Sequence, residues 1–395
     1  MTLPDFHLNA RLEDELARLH AAGLVRRRRV LDSASVPRVR VEGRDLLAFA
    51  SNDYLGLAAH PELVEALAAG AREYGVGAGA SHLVNGHLRP HEMLEARLAA
   101  LTGFPAALTF SSGYLANLAV TPTLAAGRAD AIFADRLNHA SLIDAAQLSR
   151  AQHHRYPHGD LAALEKQLAA STAQTKVIVT DAVFSMDGDL APLPELFALA
   201  ERFDAWLVVD DAHGFGVLGQ NGAGSLAHCG LPAHPRIVLM GTLGKAAGVG
   251  GAFVAGSECL IDYLVNKARS YIFTTAQPPA LASALLKSVE LIAAGAARRA
   301  HLQALIRQLR AGVAGLPWRL LASETAIQPL LVGENMAALA LSRRLWENGL
   351  WVAAIRPPTV PQGTARLRIS LSAAHTEADV ARLVDALHAA ALQEN

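Results

Sequence analysis

At 395 residues, with 52% hydrophobic and 18% charged residues, the chain is long enough for two or so domains around a large core. A formal net charge of −1 gives no general attraction to nucleic acid or an anionic membrane, and no apolar run is long enough to span a bilayer. Two cysteines, Cys229 and Cys259, make no disulfide framework, and no basic-then-apolar leader opens the sequence, so the expected place of work is the cytoplasm.

In chain order, residues 8–25 read as an amphipathic helix with Leu12, Leu16, Leu19 and Leu24 at helical spacing. Arg26 to Arg29 follow as a basic run, most of it solvated. Residues 39–49 read as a hairpin turned at Gly43. From about 105 to 255 short apolar strands alternate with helices: 107–110, 131–134, 176–180, 205–209, 237–240 and 252–255. Near-continuous apolar runs indicate parallel strands buried on both faces, and so an α/β domain. Past about 285 a long Ala/Leu/Arg helix leads into strands at 328–332, 351–355 and 366–370 and a closing helix at 376–391, which reads as a smaller α+β domain. The expected division is 1–50, an N-terminal helix and hairpin; 51–285, the large α/β domain; and 286–395, the small domain.

The chain has only five lysines, and four have ordinary settings on helices or before a strand. Lys245 does not: it lies in a Gly-flanked turn, Gly241-Thr-Leu-Gly-Lys245, directly after the strand at 237–240. An amine there can form a Schiff base, which a guanidinium cannot. Two other strands end in polar clusters, Asp181 to Ser185 and Asp210-Asp211-Ala-His213. In open α/β sheets ligands bind beyond the carboxyl ends of the strands, so neighbouring strands would aim all three clusters at one site. Taken singly each has a plain reading: Asp210 and Asp211 as helix caps, His213 as a loop histidine.

A lysine Schiff base to pyridoxal phosphate needs a carboxylate to hold the pyridine nitrogen protonated, and Asp210 at a buried strand end suits that. It needs an anion site, and Ser112-Gly113-Tyr114 opens a helix whose N–H groups would supply one. It needs a ring over the cofactor face, and His139 is the candidate. Gly75-Val-Gly77-Ala-Gly79 resembles half a dinucleotide fingerprint but follows no strand, which makes NAD a poor reading. Despite sixteen histidines, no close ligand spacing appears, and no metal is expected.

At this point the chain resembles a family. Asp210-Asp-Ala-His213 with Thr242-Leu-Gly-Lys245, Ser51-Asn-Asp-Tyr-Leu-Gly-Leu, Asn138-His-Ala-Ser and Val183-Phe-Ser-Met-Asp-Gly-Asp are similar to the α-oxoamine synthases, pyridoxal-phosphate acyltransferases of fold type I. The resemblance spans nearly the whole chain and implies a mostly parallel sheet of the seven-stranded type. It also implies roles. Lys245 carries the cofactor and then moves the Cα proton; Asp210 pairs with the pyridine nitrogen and His213 meets the phenolic oxygen. Ser185 contacts the cofactor, Thr242 its phosphate, and Gly113 and Tyr114 lie at the phosphate end. His139 stacks on the ring and serves the substrate. Arg368 binds the amino-acid carboxylate, and Arg26 and Thr359 contact substrate. Thr274 and Thr275 reach a partner subunit's phosphate, so a homodimer with an interfacial site is implied.

The stretch from Ala354 to His375 resembles the branch serving biotin biosynthesis, which joins L-alanine to a pimeloyl thioester carried by coenzyme A or acyl-carrier protein. The alternative branch joins glycine to an acetyl thioester. One departure stands out: Asp181 and Ala182 replace a usual Glu-Gly, and Asp181 is left without a role.

Overall fold

A computed structural model describes residues 7–392. Helix α1 (His7–Ala21) stops a turn earlier than the leucine spacing suggests, because Gly23 takes a positive φ. Strands β1 (Arg38–Val41) and β2 (Arg44–Ala48) form the expected hairpin, closed by Glu42 and Gly43, both at positive φ.

Seven strands make the central sheet: β3 (Ala106–Phe110), β4 (Ala131–Asp135), β5 (Gln152–Tyr156), β6 (Lys176–Asp181), β7 (Ala205–Asp210), β8 (Ile237–Thr242) and β9 (Ala252–Gly256). Their order is β3-β9-β8-β7-β6-β4-β5. β9 runs antiparallel to both neighbours, and the other pairs are parallel. The interior strands are buried along their length, which is why they read as unbroken apolar runs. β5 carries no such run: Gln152-His-His-Arg-Tyr156 is an edge strand, and one wetted side needs no apolar pattern. Helices α2 (Pro61–Tyr74) and α3 (Arg89–Thr102) pack with the helix Pro279–Ala293, and α4 (Gly113–Leu124) packs with α5 (Ala140–Leu148).

The long Ala/Leu/Arg helix of the sequence is two helices, Pro279–Ala293 and Ala296–Gly312, meeting at a 69° bend. Gly295 sits at the break, its N–H donating to the Ile292 carbonyl at 3.0 Å, and Arg299 donates to the same oxygen at 2.6 Å. Beyond it lie β10 (Arg319–Leu320), β11 (Ile327–Gly333), β12 (Leu350–Trp351), β13 (Ala353–Ile355) and β14 (Ala365–Ser370). Four of these form the antiparallel order β10-β11-β14-β13. The expected strand at 351–355 is broken at the buried Val352: β12 pairs in parallel with β2, while β13 pairs with β14. The helix Asn335–Glu347 is an addition to the sequence reading, although Ala338, Leu341 and Leu345 give it a buried helical stripe. Among the described residues, no single helix is long and apolar enough to cross a membrane.

One ion cluster braces the carboxyl ends of the strands. His158, just past β5, places Nδ1 3.1 Å from each oxygen of Asp135 and Nε2 2.8 Å from Asp189. Both ring nitrogens face carboxylates, so the ring is doubly protonated, and hydrogen bonding to Asp135 and Asp189 raises it to about 10. A raised histidine stabilises the fold fully below its unfolded value, near 6.5, and that contribution fades as pH climbs toward 10. We therefore expect the melting temperature of the wild type to fall between pH 7 and 10, and His158→Gln to flatten that slope; parallel slopes in a thermal melt series would refute the clamp.

Candidate active site

Register puts the chemistry in one row. Asp181, the last residue of β6, pairs with Asp210 at the end of β7, and Asp210 pairs with Met240 of β8. Two residues past β8's end at Thr242, the chain turns tightly: Gly248 donates to the Lys245 carbonyl at 2.8 Å, and Leu243 donates to Gly251 at 2.8 Å. Gly248 has φ +72 and lies against the backbone of Leu57 and Ala58, where a Cβ would sit 2.6 Å from main-chain atoms. Only glycine closes the turn this near to the Ser51–Leu57 segment.

The Lys245 amine lies 2.8 Å from His213 Nε2. His213 Nδ1 lies 2.6 Å from the Tyr54 hydroxyl, which is also 3.1 Å from Asn52 Oδ1. Arg368, buried on β14, closes the chain of contacts: Nη1 donates to Asn52 Oδ1 at 3.1 Å and Nη2 to the Tyr54 oxygen at 3.4 Å. Its Nε donates to the Ser185 carbonyl at 2.7 Å. With the ammonium donating to Nε2, the proton on His213 sits at Nδ1 and points to Tyr54, whose own proton goes to Asn52. Burial, and then the nearby cations Lys245 and Arg368, hold His213 well below its usual range, so the ring stays neutral. Burial likewise lowers Lys245 to about 8, against the upward pull of Asp210 and Asp181.

Asp210 is held by a second network. Its Oδ1 accepts from the Ala212 N–H at 3.0 Å, and its Oδ2 from Asn117 Nδ2 at 2.8 Å. Asn117 Nδ2 also donates to Ser141 Oγ at 2.8 Å, and Ser141 Oγ lies 2.7 Å from His139 Nδ1. The Ser141 N–H approaches the same nitrogen at 3.3 Å, so Nδ1 accepts and the His139 proton sits on Nε2, free to donate. Asn117 Oδ1 is buried without a partner. The other strand-end carboxylates have structural tasks. Asp211 accepts from the N–H and hydroxyl of Ser225, 14 positions on; it caps no helix of its own, since the N-cap of the short helix Ser225–His228 is Gly224. Asp181 Oδ2 accepts the His139 backbone N–H at 2.7 Å, so the residue left without a role fixes the turn that carries His139. Burial and the Asp210 charge push its carboxyl well above the usual range.

The remaining expected residues distribute as follows. Ser112 caps α4 by accepting from Leu115 N–H, leaving Gly113 and Tyr114 in its first turn. Tyr114 is exposed and its hydroxyl donates to Asp144. Thr242 Oγ1 donates to the Gly251 carbonyl at 3.2 Å. Arg26 donates to Thr359 at 3.3 Å, joining two residues far apart in sequence. Thr359, His139, Ser185, Met186, Leu137 and Arg136 line one cavity of about 590 Å³. Thr274 and Thr275 lie in the segment that touches Ser81 through a β-bridge at Thr275, and that threonine is exposed. Tyr54, Asn52 and Asn117 are the residues sequence reasoning passed over: Asn52 and Tyr54 stand in the Ser51–Leu57 motif and Asn117 just past Ser112-Gly113-Tyr114, but their deciding partners are 24 to 316 positions away.

The profile of the aminotransferase class I and II family matches residues 44–387. The chain belongs to that family. It is 69% identical to the 8-amino-7-oxononanoate synthase of Dechloromonas aromatica (strain RCB), over 96% of this chain and 98% of that one. Among solved structures, a serine palmitoyltransferase from S. paucimobilis with a bound PLP–myriocin aldimine superposes with a TM-score of 0.90 at 30% identity, covering 96% of each chain. An 8-amino-7-oxononanoate synthase from Francisella tularensis does so with a TM-score of 0.77 at 31% identity, covering 88% of this chain and 98% of that one.

The titration of Lys245 is directly measurable. In cofactor-free protein, competitive acetylation read by mass spectrometry should show its amine titrating near 8; a midpoint near 10.5 for Lys245 would remove the desolvated site.

Proposed function

We propose that the chain is a pyridoxal-phosphate-dependent acyltransferase that joins L-alanine to a pimeloyl thioester with loss of CO₂, giving 8-amino-7-oxononanoate. The observation that carries this reading is the Lys245–His213–Tyr54–Arg368 chain of contacts at the ends of β7, β8 and β14, in a sequence 69% identical to a synthase of that name.

The donor set suits the cofactor. A lysine amine, a buried carboxylate with lone pairs to spare, an unpartnered Asn117 oxygen beside it and a capped helix N-terminus together offer a Schiff-base anchor, a pyridinium partner and an anion site. Lys245 would hold the group, Asp210 its ring nitrogen, His213 its phenolic oxygen, and Gly113, Tyr114 and Thr242 its phosphate side, with Ser185 a further contact. When bound, the cofactor supplies an electron sink for the negative charge that forms at the amino acid's Cα.

The chain's own residues do the rest. Arg368 keeps one guanidinium edge on Ser185, Asn52 and Ser370, and the long Nη2 contact to Tyr54 leaves a donor for the alanine carboxylate. Lys245, held by its buried setting near neutrality, takes the Cα proton and later returns one. His139 presents Nε2–H toward the acyl oxygen, its ring aimed by Ser141 and Asp181. The cavity between His139, Met186 and Thr359 takes the acyl chain, with Arg26 at its rim behind Thr359. Two copies completing each other's sites through Thr274 and Thr275, beside the exposed Phe273, are part of the proposal, as is work in the cytoplasm. We leave the carrier, coenzyme A or acyl-carrier protein, to the assay below.

A steady-state assay with L-alanine or glycine against pimeloyl and acetyl thioesters of both carriers tests the reading. Alanine with a pimeloyl thioester should dominate; preference for glycine with acetyl would favour the rival branch. Lys245→Ala should abolish turnover. Arg368→Ala should raise the alanine KM by tenfold or more, on the order of 2–5 kcal/mol for a charge left unpaired; an unchanged alanine KM would take Arg368 out of that role.

A further inference from the structure

Away from the strand ends, three imidazoles converge where the sequence spacing suggested no metal. His82 begins the turn His82–Gly86, His87 follows it, and His91 lies in the first turn of α3. One ring nitrogen from each lies within 4.8 Å of the others. The ring centroids are 5.1 Å apart for His82 and His87, 5.1 Å for His82 and His91, and 5.7 Å for His87 and His91. The proposed function gives none of the three a role.

The outer nitrogens are already held as metal-binding histidines require. His87 Nε2 lies 3.1 Å from Glu92 Oε2, and His91 Nε2 donates to the Gln277 carbonyl at 2.9 Å. A carboxylate on one ring and a backbone carbonyl on the other fix both as Nε2–H tautomers, with unprotonated Nδ1 atoms. His82 places its own Nδ1 2.8 Å from that of His87. Since His87 Nδ1 is bare, the proton between them belongs to His82. His91 Nδ1 accepts only the Leu88 N–H, at 3.0 Å, at the cap of α3. His82 is further fixed by stacking on Tyr271, 5.1 Å between centroids at 12°. Burial, and then the neighbouring His91 and His87, lower His82 to about 4, so the lone pairs stay available at neutral pH.

We propose that His82, His87 and His91 form a binding site for a divalent transition metal of the zinc class. The ion replaces the proton on His82 Nδ1, which leaves to solvent, and the two Nδ1 atoms open slightly, to about the 3.3 Å that zinc–nitrogen bonds of about 2.0–2.1 Å in a tetrahedron imply. His91 turns its Nδ1 from the Leu88 N–H to the ion, and water completes the shell. The bound metal fastens the His82–Gly86 turn to α3, where Gly86 already packs so closely on Ala80 that a Cβ would fall 2.1 Å from its carbonyl oxygen.

The test uses the full-length holoenzyme after chelation and buffer exchange, with zinc chloride followed by calorimetry and cobalt(II) by its visible d–d bands. The wild type should bind one ion per chain, with a tetrahedral cobalt spectrum and a chelator-reversible rise in melting temperature. His87→Ala and His82→Gln, both outside the catalytic machinery, should each weaken zinc by on the order of 100-fold or more and abolish the cobalt bands. Running both guards against a folding defect in one, and circular dichroism checks each. No stoichiometric zinc binding by the wild type, or zinc binding and cobalt bands unchanged in both variants, would overturn the site.

Discussion

Lys245, Asp210, Asp181 and Arg368 share one poorly hydrated pocket, and each charge there is offset by another. The amine is lowered by burial and raised by the two carboxylates; Asp181 is pushed up by burial and by Asp210. A lone buried ion in such a place would cost several kcal/mol, whereas an interlocked set keeps the charges and leaves them tunable. The parallel register of β6 and β7 makes this unavoidable, because it sets Asp181 directly beside Asp210. Asp181 is taken up by the His139 N–H, while Asp210 is held by the Ala212 N–H and the Asn117 amide.

Asn117 ties the two halves of the site together. One side-chain nitrogen reaches both Asp210 and Ser141, so the Asp210 carboxylate and the serine that aims His139 are set by a single amide on α4. The same helix has its N-terminus capped by Ser112. One helix therefore links Asp210 to the turn that carries His139.

Much of this was legible in the sequence. The apolar strands announced themselves because both faces are covered, and the clusters at Asp181, Asp210 and Lys245 follow strands directly, so the switch from apolar to polar marked the site. What stayed hidden was whatever depends on distant pairing. Tyr54 reads as an aromatic in a loop until His213 arrives 159 positions later. Asp181 looks like a shortened acid until its oxygen meets the His139 backbone. β5 lacks a pattern because an edge needs none, and the strand at 351–355 looks continuous because nothing local records that its two halves join different sheets. The histidine cluster escaped because His82 and His87 lie on a turn with an irregular backbone at Asn85, so only His91 stands in a helix and the four-residue spacing to His87 reads as a loop.

The parallel pairing of β2 with β12 bears on how the chain is made. Residues near the start wait for partners that leave the ribosome about 300 residues later, an interval of tens of seconds at ordinary rates of synthesis. Arg38 finds Asp379 across 341 positions, and Arg26 finds Thr359 across 333. Meanwhile the parallel strands β6, β7 and β8 can assemble from contiguous sequence. The strand ends that carry Asp181, Asp210 and Lys245 can thus come together before β14, which brings Arg368, is made. A chain released early would carry Lys245 beyond a formed sheet while Arg368 was still missing, and the unpaired edge of its first hairpin would be open to other chains.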